Sequence, residues 1–319
     1  MRRTAPLLPA LATLLLLTAC GSEHAGAPGA GATAPAPRPA ATTPPVDGVR
    51  ITSVTVPSGT HTQGPSSDGP VQADPLPTGG SGISAAYEVT NDGTEALTYT
   101  ILFAFTTDAG GAVDNRQETV RSVGPGQTVR GTVRLGALTP GASRVTRVKV
   151  AQVTKVPAAE APPAPGACPP SGIRLTADDG DSAMGLRVVG LHLENCGTHD
   201  YSLDGYPLLE LLDKDLSPVE GIRILHGSGG ISTATGFDEA ARPLVLKPGE
   251  SALSGLMWRN TTEFGTAVDV PYVRVRATRG ADPVTVTPHL DLGTTGKLAV
   301  RAWTRPPKAA ESSSSSPRP

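Results

Sequence analysis

The chain has 319 residues, and its 27 Lys and Arg residues against 29 Asp and Glu residues give a formal net charge of −2. Because phosphate binding requires a concentrated basic face, this balance excludes nucleic acid as an expected partner. Aromatic residues make up 3% of the chain, while Gly and Pro number 37 and 32, which is typical of short strands and turns rather than long helices.

The start of the chain has the pattern of an export signal. Arg2 and Arg3 form a positive segment, and residues 7–17 form an apolar run too short to span a bilayer as a helix. The run ends in Leu-Thr-Ala-Cys-Gly, which resembles the lipobox of bacterial lipoproteins and implies a diacylglyceryl group on Cys20. Since two or more acyl chains anchor a protein stably, we expect a signal peptide over 1–20 and a mature chain on the outer face of the cell membrane. Sec and Tat export both stay open.

Residues 21–47 are dominated by small residues and proline, since 22 of the 27 are Ala, Gly, Pro, Ser or Thr. Such a segment buries too little apolar surface to offset the entropy of ordering it, which predicts a disordered stalk. Residues 306–319 are predicted to be a Ser- and Pro-rich tail, and residues 57–80 a long polar loop.

Residues 48–156 show the alternation of half-buried strands. Apolar residues take every second position, with polar residues between them, in three runs: Ile83, Ala85, Tyr87 and Val89; Tyr99, Ile101, Phe103 and Phe105; Val129, Val133 and Leu135. Asn91-Asp92-Gly93 predicts a hairpin turn between the first two runs, and Gly124-Pro-Gly126 predicts a second turn. These signals predict an N-terminal β-sandwich.

An Ala- and Pro-rich linker is predicted over 157–167, and residues 168–305 alternate again as a second β-domain. Leu191 and Leu193 flank polar residues that are expected to face outward. The adjacent apolar pair Val188-Val189 breaks the alternation, which predicts a β-bulge.

Both halves use the same order of turn sequences. In each half a strand ends in Asn-x-Gly-Thr and a later strand follows a Pro-Gly turn, at Asn91-Asp-Gly-Thr94 and Pro125-Gly-Gln-Thr128, and at Asn195-Cys-Gly-Thr198 and Pro248-Gly-Glu-Ser251. The repeat predicts an all-β chain of two tandem immunoglobulin-like antiparallel sandwiches with a shared architecture.

The three cysteines separate into one lipid site and one pair. With Cys20 committed to lipid, Cys168 and Cys196 remain, and pairing is the default outside the cytoplasm. His199 and Asp200 lie close to Cys196, which raises the alternative of a nucleophile with its base. A catalytic thiol must stay free, and adjacent His and Asp rarely reach the required geometry. The sequence therefore predicts a structural disulfide and no catalytic residue.

Other polar motifs have a structural interpretation beside a chemical one. The loop His226-Gly-Ser-Gly-Gly230 is similar to an esterase oxyanion loop, but the chain has no Gly-x-Ser-x-Gly turn, so a surface loop is favoured. Asp178-Asp-Gly-Asp181 is interpreted as an acidic turn rather than a calcium site. Trp258 is expected in the core rather than against a sugar, and Tyr206 is expected to hydrogen-bond within its own turn. No metal is expected, because no pair of histidines has ligand spacing. No cofactor is expected either.

Several motifs of the second half together resemble a known family. They occur in the order Cys168-Pro-Pro, Leu193-Glu-Asn-Cys-Gly197, Leu203-Asp-Gly-Tyr-Pro207, Leu211-Leu-Asp213, Leu246-Lys-Pro-Gly-Glu-Ser-Ala252 and Trp258. This order resembles the actinobacterial, Streptomyces-type lipoproteins that carry the domain of unknown function DUF4232. The resemblance covers about 168–305 and implies a β-sandwich, a lipoprotein or secreted context and no established activity. Family members place a cysteine directly before the Leu-x-Gly-Tyr-Pro turn, where this chain has Tyr201 and carries its cysteine earlier, at Cys196.

These observations predict a non-enzymatic lipoprotein with a binding or structural role in the cell envelope. Its expected partners are the membrane, through Cys20, and an envelope protein or cell-wall polymer, with the binding residues left open. The alternatives are an envelope-polymer hydrolase, which needs convergent polar groups in a cleft, a sugar-binding protein, and a mechanical spacer without a concave or apolar patch.

Overall fold

A computed structural model describes residues 38–39, 44–57, 80–139, 141–233 and 235–307. The regular elements in these ranges are all β-strands, which confirms the all-β prediction. In chain order the strands are β1 (Arg38–Pro39), β2 (Val49–Thr55), β3 (Ser84–Thr90), β4 (Leu97–Thr106), β5 (Ala112–Val123), β6 (Thr128–Arg134), β7 (Arg147–Pro157), β8 (Ile173–Ala177), β9 (Asp181–Ala183), β10 (Leu186–Asn195), β11 (Tyr201–Leu203), β12 (Leu208–Leu212), β13 (Arg223–His226), β14 (Leu244–Leu246), β15 (Ser251–Arg259), β16 (Asp269–Val270), β17 (Tyr272–Arg276), β18 (Val284–Val286), β19 (Leu290–Asp291) and β20 (Lys297–Val300).

The predicted signal peptide, Cys20, most of the stalk, the interior of the polar loop and most of the tail lie outside the described residues. Within the described ranges, no helix is long and apolar enough to cross a membrane. Arg38 and Pro39 fall inside the predicted stalk, yet they pair with Val54 and Ser53 of β2. Strand structure therefore begins earlier than the boundary predicted at residue 48.

Strands β2 to β7 form an N-terminal sandwich. One sheet has the order β1-β2-β3-β6 and the other the order β5-β4-β7. The alternation predicted from the sequence faces the core between them, because both predicted runs in β3 and β4 are buried. The rings of Tyr87 and Phe103 meet across the sheets with centroids 4.9 Å apart. Gly131 interrupts the apolar run of β6 because a Cβ there would overlap the Tyr87 ring.

The hairpin predicted at residues 91–93 is wrong, because β3 and β4 belong to different sheets. Asn91 is buried where the chain crosses between them. Its Nδ2 donates to the carbonyl oxygens of Glu95 and Val123 at 2.7 and 2.8 Å. Its Oδ1 accepts a hydrogen bond from the Gly93 amide at 2.9 Å. The local turn signal thus serves a crossover that is stabilised by the asparagine side chain.

Strands β8 to β20 form a C-terminal sandwich. Its main sheet has the order β13-β20-β15-β10-β8, with β9 added beside β10, and β13 and β20 run parallel while the other pairs are antiparallel. The second layer contains the sheet β12-β17-β18 and the pairs β11-β14 and β16-β19. The layers share one core, which includes Leu191, Leu193, Val273, Val275, Trp258 and Trp303.

The bulge predicted at Val188 and Val189 is also wrong. Strand β10 pairs with β15 in unbroken register from Leu186 to Glu194. The alternation breaks because both faces of this strand are covered. Val189 joins the main core, whereas Val188 packs with Phe237 and Met257 on the opposite face. The covering residue Phe237 comes from a distant loop, so the local pattern did not reveal it.

Asn195 repeats in the C-terminal sandwich the role of Asn91. Its Nδ2 donates to the carbonyl oxygens of His199 and Leu246, both at 2.8 Å, and its Oδ1 accepts from the Gly197 amide at 3.2 Å. Each asparagine is also bound through its backbone to a Pro-Gly turn. The bonds are Asn91 N–H to Gln127 O, Gly126 N–H to Asn91 O, Asn195 N–H to Glu250 O, and Gly249 N–H to Asn195 O, between 2.7 and 3.0 Å.

The two sandwiches share the order of their inner strands as well. In the first, β3 pairs with β2 and β6, and in the second, β10 pairs with β8 and β15. Likewise, β4 pairs with β7 and β12 pairs with β17. The shared turn sequences therefore accompany the same pairing of these inner strands, while the main sheet of the second sandwich has further strands, including the parallel pair β13-β20.

The segment predicted as a linker, residues 157–167, contacts the C-terminal sandwich. The Glu160 carboxylate accepts hydrogen bonds from Arg274 Nε at 2.8 Å and Thr285 Oγ1 at 2.7 Å, and its carbonyl oxygen accepts one from the Thr285 amide at 2.8 Å. Nearby, the Lys155 amide donates to the Tyr272 hydroxyl at 3.1 Å. The described residues belong to one compact unit.

Candidate ligand-binding cleft

A polar cleft lies between the two sandwiches. It consists of three cavities of about 170, 390 and 610 Å³. Neighbouring cavities have lining residues in common: Thr100, Thr154 and Thr287 between the first two, and Gln152, Asp179 and His289 between the last two. The cavities therefore form one continuous cleft.

The N-terminal sandwich supplies one wall through the outer face of its sheet β5-β4-β7. Side chains alternate across a strand, and since Tyr99, Ile101 and Phe103 point into the core, Thr100 and Leu102 point outward into the cleft. Gln117 from β5 and Gln152 and Thr154 from β7 extend this wall. The buried alternation that builds the core thus determines which residues reach the cleft.

Three threonine hydroxyls line the middle of this cleft. Thr100, Thr154 and Thr287 each face the two smaller cavities. Thr154 is only 6% exposed, and its hydroxyl makes no hydrogen bond to any residue that the structure describes. The hydroxyls of Thr100 and Thr287 are likewise unbonded within the described ranges. Since a hydroxyl both donates and accepts, these groups are available to a polar ligand.

Asp178 begins the acidic turn 178–181 at one end of the cleft. Its Oδ1 accepts hydrogen bonds from the amides of Gly180 at 3.0 Å and Gly190 at 2.8 Å, and its Oδ2 lies 3.1 Å from His192 Nε2. A Cβ at Gly190 would overlap the Asp178 carboxylate, so a larger residue there would displace this side chain. The described part of the chain contains no cluster of three or more His, Cys, Asp or Glu placed to hold a metal ion.

His289 lies between the two sandwiches at the acidic end. Its Nε2 is 2.8 Å from Gln152 Nε2 of the N-terminal sandwich, so the two side chains form a hydrogen bond between the domains. Its backbone has φ of 49°, an uncommon conformation for a residue other than glycine. Partial burial lowers the pKa of the imidazole, and the neighbouring Asp269 carboxylate opposes that shift.

Asp291 lies at the acidic end of the cleft and is hydrogen-bonded to its neighbours. It accepts hydrogen bonds from the Trp258 indole N–H at 2.8 Å and from the Asn260 side-chain Nδ2 at 3.0 Å, and the Arg187 guanidinium lies 3.7 Å away. Trp258 lines this end of the cleft but is 2% exposed and packs in the core, as predicted. The remaining described lining residues include no Phe, Tyr or Trp.

The predicted disulfide is present. Cys168 and Cys196 are bonded with their Cα atoms 5.7 Å apart, and the bond joins the segment before β8 to the end of β10. The bond leaves neither cysteine as a thiol. His199 and Asp200 are exposed, and the imidazole hydrogen-bonds with the neighbouring Thr198 hydroxyl at 3.1 Å.

Tyr206 differs from the expectation of a hydrogen bond within its own turn. Its ring instead stacks on the His226 imidazole, with centroids 3.9 Å apart and planes at 7°. The glycine-rich loop after His226 is bonded into the fold. The Gly227 amide donates to the Val300 carbonyl and the Ser228 amide to Asp238 Oδ1. Gly227 and Ser228 are buried, so this part of the loop does not lie at the surface as predicted, and its bonds are structural.

The sequence did not reveal the cleft. Its threonines were recognisable as polar positions of alternating strands. Thr100 and Thr287, however, are far apart in the sequence and belong to different sandwiches. Their approach depends on how the linker places one sheet against the other. Alternation indicates that a residue faces outward and does not indicate what it faces.

Comparison with known families concerns the C-terminal sandwich. Residues 168–304 match a family described as "Domain of unknown function (DUF4232)". This match supports the domain resemblance inferred from the motifs. It includes the acidic wall of the cleft and excludes the threonine wall of the N-terminal sandwich. No curated protein matches the chain in a sequence comparison.

Proposed function

We propose that this chain is a membrane-anchored, extracytoplasmic lipoprotein of the actinobacterial type that binds a ligand of the cell envelope without catalysing a reaction. The cleft carries the proposal, because the two sandwiches bring together there unbonded threonine hydroxyls and carboxylates that form no ion pair within the described ranges. Two of its three cavities, of about 390 and 610 Å³, have the size of common ligand sites, which are about 300–1,000 Å³. The paired inner strands and crossovers also support an immunoglobulin-like description of both sandwiches.

The proposed location rests on the lipobox at Cys20 and the stalk behind it. A coil with the length of residues 21–37, which precede β1, would span about 23 Å, and a polyproline form about 53 Å. Either form would hold the cleft clear of the bilayer, within reach of an envelope protein or a wall polymer. No nucleic acid is proposed as a partner, given the net charge of −2.

We propose the absence of catalysis because Cys196, Asp178 and Asp291 are already bonded to other groups of the protein. Cys196 is held in a disulfide. Asp178 and Asp291 are bound by amides, an indole and neighbouring side chains, and they hold local structure. A hydrolase would need an acid and a base that are free to exchange protons with a substrate, and Asp179, Asp181 and Asp269, which form no ion pair within the described ranges, are the carboxylates left for that role. Hydrolysis of envelope material that disappears in Asp178→Asn or Asp269→Asn would favour the alternative.

Replacing Cys20 tests the anchor. The wild-type protein should partition into the detergent phase of a phase-separating detergent, and Cys20→Ser should remain as uncleaved precursor or appear in the aqueous phase. Unchanged partition of Cys20→Ser would contradict the lipid anchor.

Blocking the cleft tests the binding role. Gln117 is exposed and lines the cleft, so Gln117→Trp should fill it without disturbing the core. Thr132→Trp, on the exposed side of β6, is the matched control. Wild type and Thr132→Trp should capture the same component from envelope extracts, and Gln117→Trp should lose it. Equal capture by all three proteins would contradict a binding role for the cleft.

A further inference from the structure

We propose that the cleft binds an extended peptide segment that carries a protonated amine. The peptide backbone would lie along the threonine hydroxyls, and the amine would occupy the acidic end. This inference rests on the proposed binding function and specifies the chemical class of the ligand.

The middle of the cleft is suited to a peptide backbone. Thr154 is 6% exposed as a residue, lines two adjoining cavities and has no bonding partner for its hydroxyl among the described residues. The hydroxyl is not among the described buried atoms that lack a partner, so it opens to the cavity, where a ligand can take the place of water. Thr100 and Thr287 offer further hydroxyls, which can accept from peptide N–H groups and donate to peptide carbonyls.

The acidic end carries uncompensated negative charge. Asp179, Asp181 and Asp269 form no ion pair with any residue that the structure describes. The one Lys or Arg among the described lining residues there is Arg187, which lies nearest to Asp291. A concave site with an excess of one charge attracts ions of the opposite sign. A protonated amine satisfies this charge and can donate several hydrogen bonds.

The composition of the walls favours a peptide over a carbohydrate. The apolar face of a sugar ring packs well on an exposed aromatic ring, but Trp258 is 2% exposed and its indole N–H already bonds Asp291. The accessible apolar groups are aliphatic, from Leu102, Ala177 and Pro288. These suit small side chains of a peptide that is otherwise recognised through its backbone.

Equilibrium binding with defined peptides tests the proposal. The probes are a pool of capped pentapeptides with a central lysine and randomised flanks, the same pool acetylated on Nζ, and a tetramer of N-acetylglucosamine. The soluble chain that begins after Cys20 should bind the lysine pool and bind the acetylated pool about tenfold more weakly. It should not bind the sugar.

Variants should separate the two parts of the site. Thr154→Val removes a hydroxyl at constant shape and should weaken binding of both peptide pools about fivefold. Asp179→Asn should weaken only the lysine pool, by about tenfold. Thr132→Val and Asp92→Asn, both at exposed positions outside the cleft, should bind as wild type. Thermal unfolding of each variant shows that the fold is retained.

Each contrary outcome has a distinct meaning. Binding of the sugar alone, with loss in Gln117→Trp, would overturn the peptide assignment and leave the binding role of the cleft intact. Equal binding of both peptide pools would overturn the role of the amine. Binding of no probe would overturn the ligand class, and retained envelope capture that Gln117→Trp abolishes would still support the binding function.

Discussion

Glu160 and Arg274 form a largely buried ion pair, in which Arg274 Nε lies 2.8 Å from Glu160 Oε2. The Glu160 side chain is 18% exposed and the Arg274 side chain is 21% exposed. Arg274 also bonds Glu210, and hydrogen bonds to both carboxylates raise the pKa of the guanidinium, which stays charged. The pair fixes the centre of the connecting segment to the C-terminal sandwich. It therefore contributes to the placement of one wall of the cleft relative to the other.

Removing this pair should expose the connecting segment to proteases. Glu160→Ala leaves Arg274 with one carboxylate partner and removes the acceptor of the Thr285 hydroxyl. Residues 158–166 should therefore detach from the C-terminal sandwich more often. We expect limited proteolysis in this segment to be about tenfold faster, because cleavage follows the population of the open form. Glu220→Ala, at an exposed loop position, is the control. Equal cleavage of Glu160→Ala and wild type would show that the pair does not hold the segment.

The crossover asparagines should each stabilise their own sandwich. Asn195→Ala removes the side-chain donor to the Leu246 and His199 carbonyls and should lower the free energy of unfolding by about 2–4 kcal/mol. Both tryptophans, Trp258 and Trp303, lie in the C-terminal core, so the urea midpoint of their fluorescence reports on that sandwich alone.

Asn91→Ala should act on the N-terminal sandwich instead. It should reduce the hydrogen-exchange protection of β3 and β4 and leave the tryptophan transition nearly unchanged. Asp92→Ala, at the exposed neighbouring position, should stay within about ±0.5 kcal/mol of wild type. A tryptophan transition that shifts equally for Asn91→Ala and Asn195→Ala would contradict separate roles.

The disulfide should act as a structural bond of the C-terminal sandwich. The mature protein should show no free thiol under denaturing conditions. Replacing Cys168 or Cys196 by Ser should lower the stability by about 2–5 kcal/mol, with both single variants matching the double variant. Tryptophan fluorescence in urea measures the change.

Neighbouring polar residues provide the control for the disulfide. His199→Ala and Asp200→Ala should stay within about ±0.5 kcal/mol, since both residues are exposed. A titratable thiol at Cys196 whose reactivity depends on His199 would instead support an enzyme.

His289 should make the contact between the sandwiches sensitive to pH. Burial lowers the pKa of its imidazole in the folded chain, so the folded state binds fewer protons than the unfolded state as pH falls through about 6.5. The stability that neutral His289 contributes to the folded state is therefore present above that pH and is lost below it. His289→Gln should lose less stability than wild type between pH 7.5 and pH 5. His199→Gln, which lies outside the contact between the sandwiches, serves as the control, and an identical pH profile for wild type and His289→Gln would refute the coupling.

The sequence predicted those parts of the fold that depend on neighbours along the chain. The alternation around Tyr87 and Phe103 located the core, and compartment chemistry predicted the disulfide. The turn signal at residues 91–93 was misread because Asn-Asp-Gly suits a hairpin locally. In the fold, the side chain of the buried Asn91 bonds the carbonyl oxygens of Glu95 and Val123, and these bonds stabilise a crossover instead. The features that the sequence did not predict depend on packing between residues that are far apart in the chain. Phe237 covers Val188 from a distant loop, and the cleft exists only where two sheets meet.

Site-specific photo-crosslinking tests the central claim that the cleft holds an envelope ligand. Benzoylphenylalanine in place of Gln117 lies on the cleft wall, and in place of Thr132 it lies on the exposed side of β6. In intact cells, irradiation should produce a discrete covalent adduct from position 117, none from position 132, and less from position 117 when Asp179→Asn is added. Equal adducts from both positions, or none from position 117, would contradict the account.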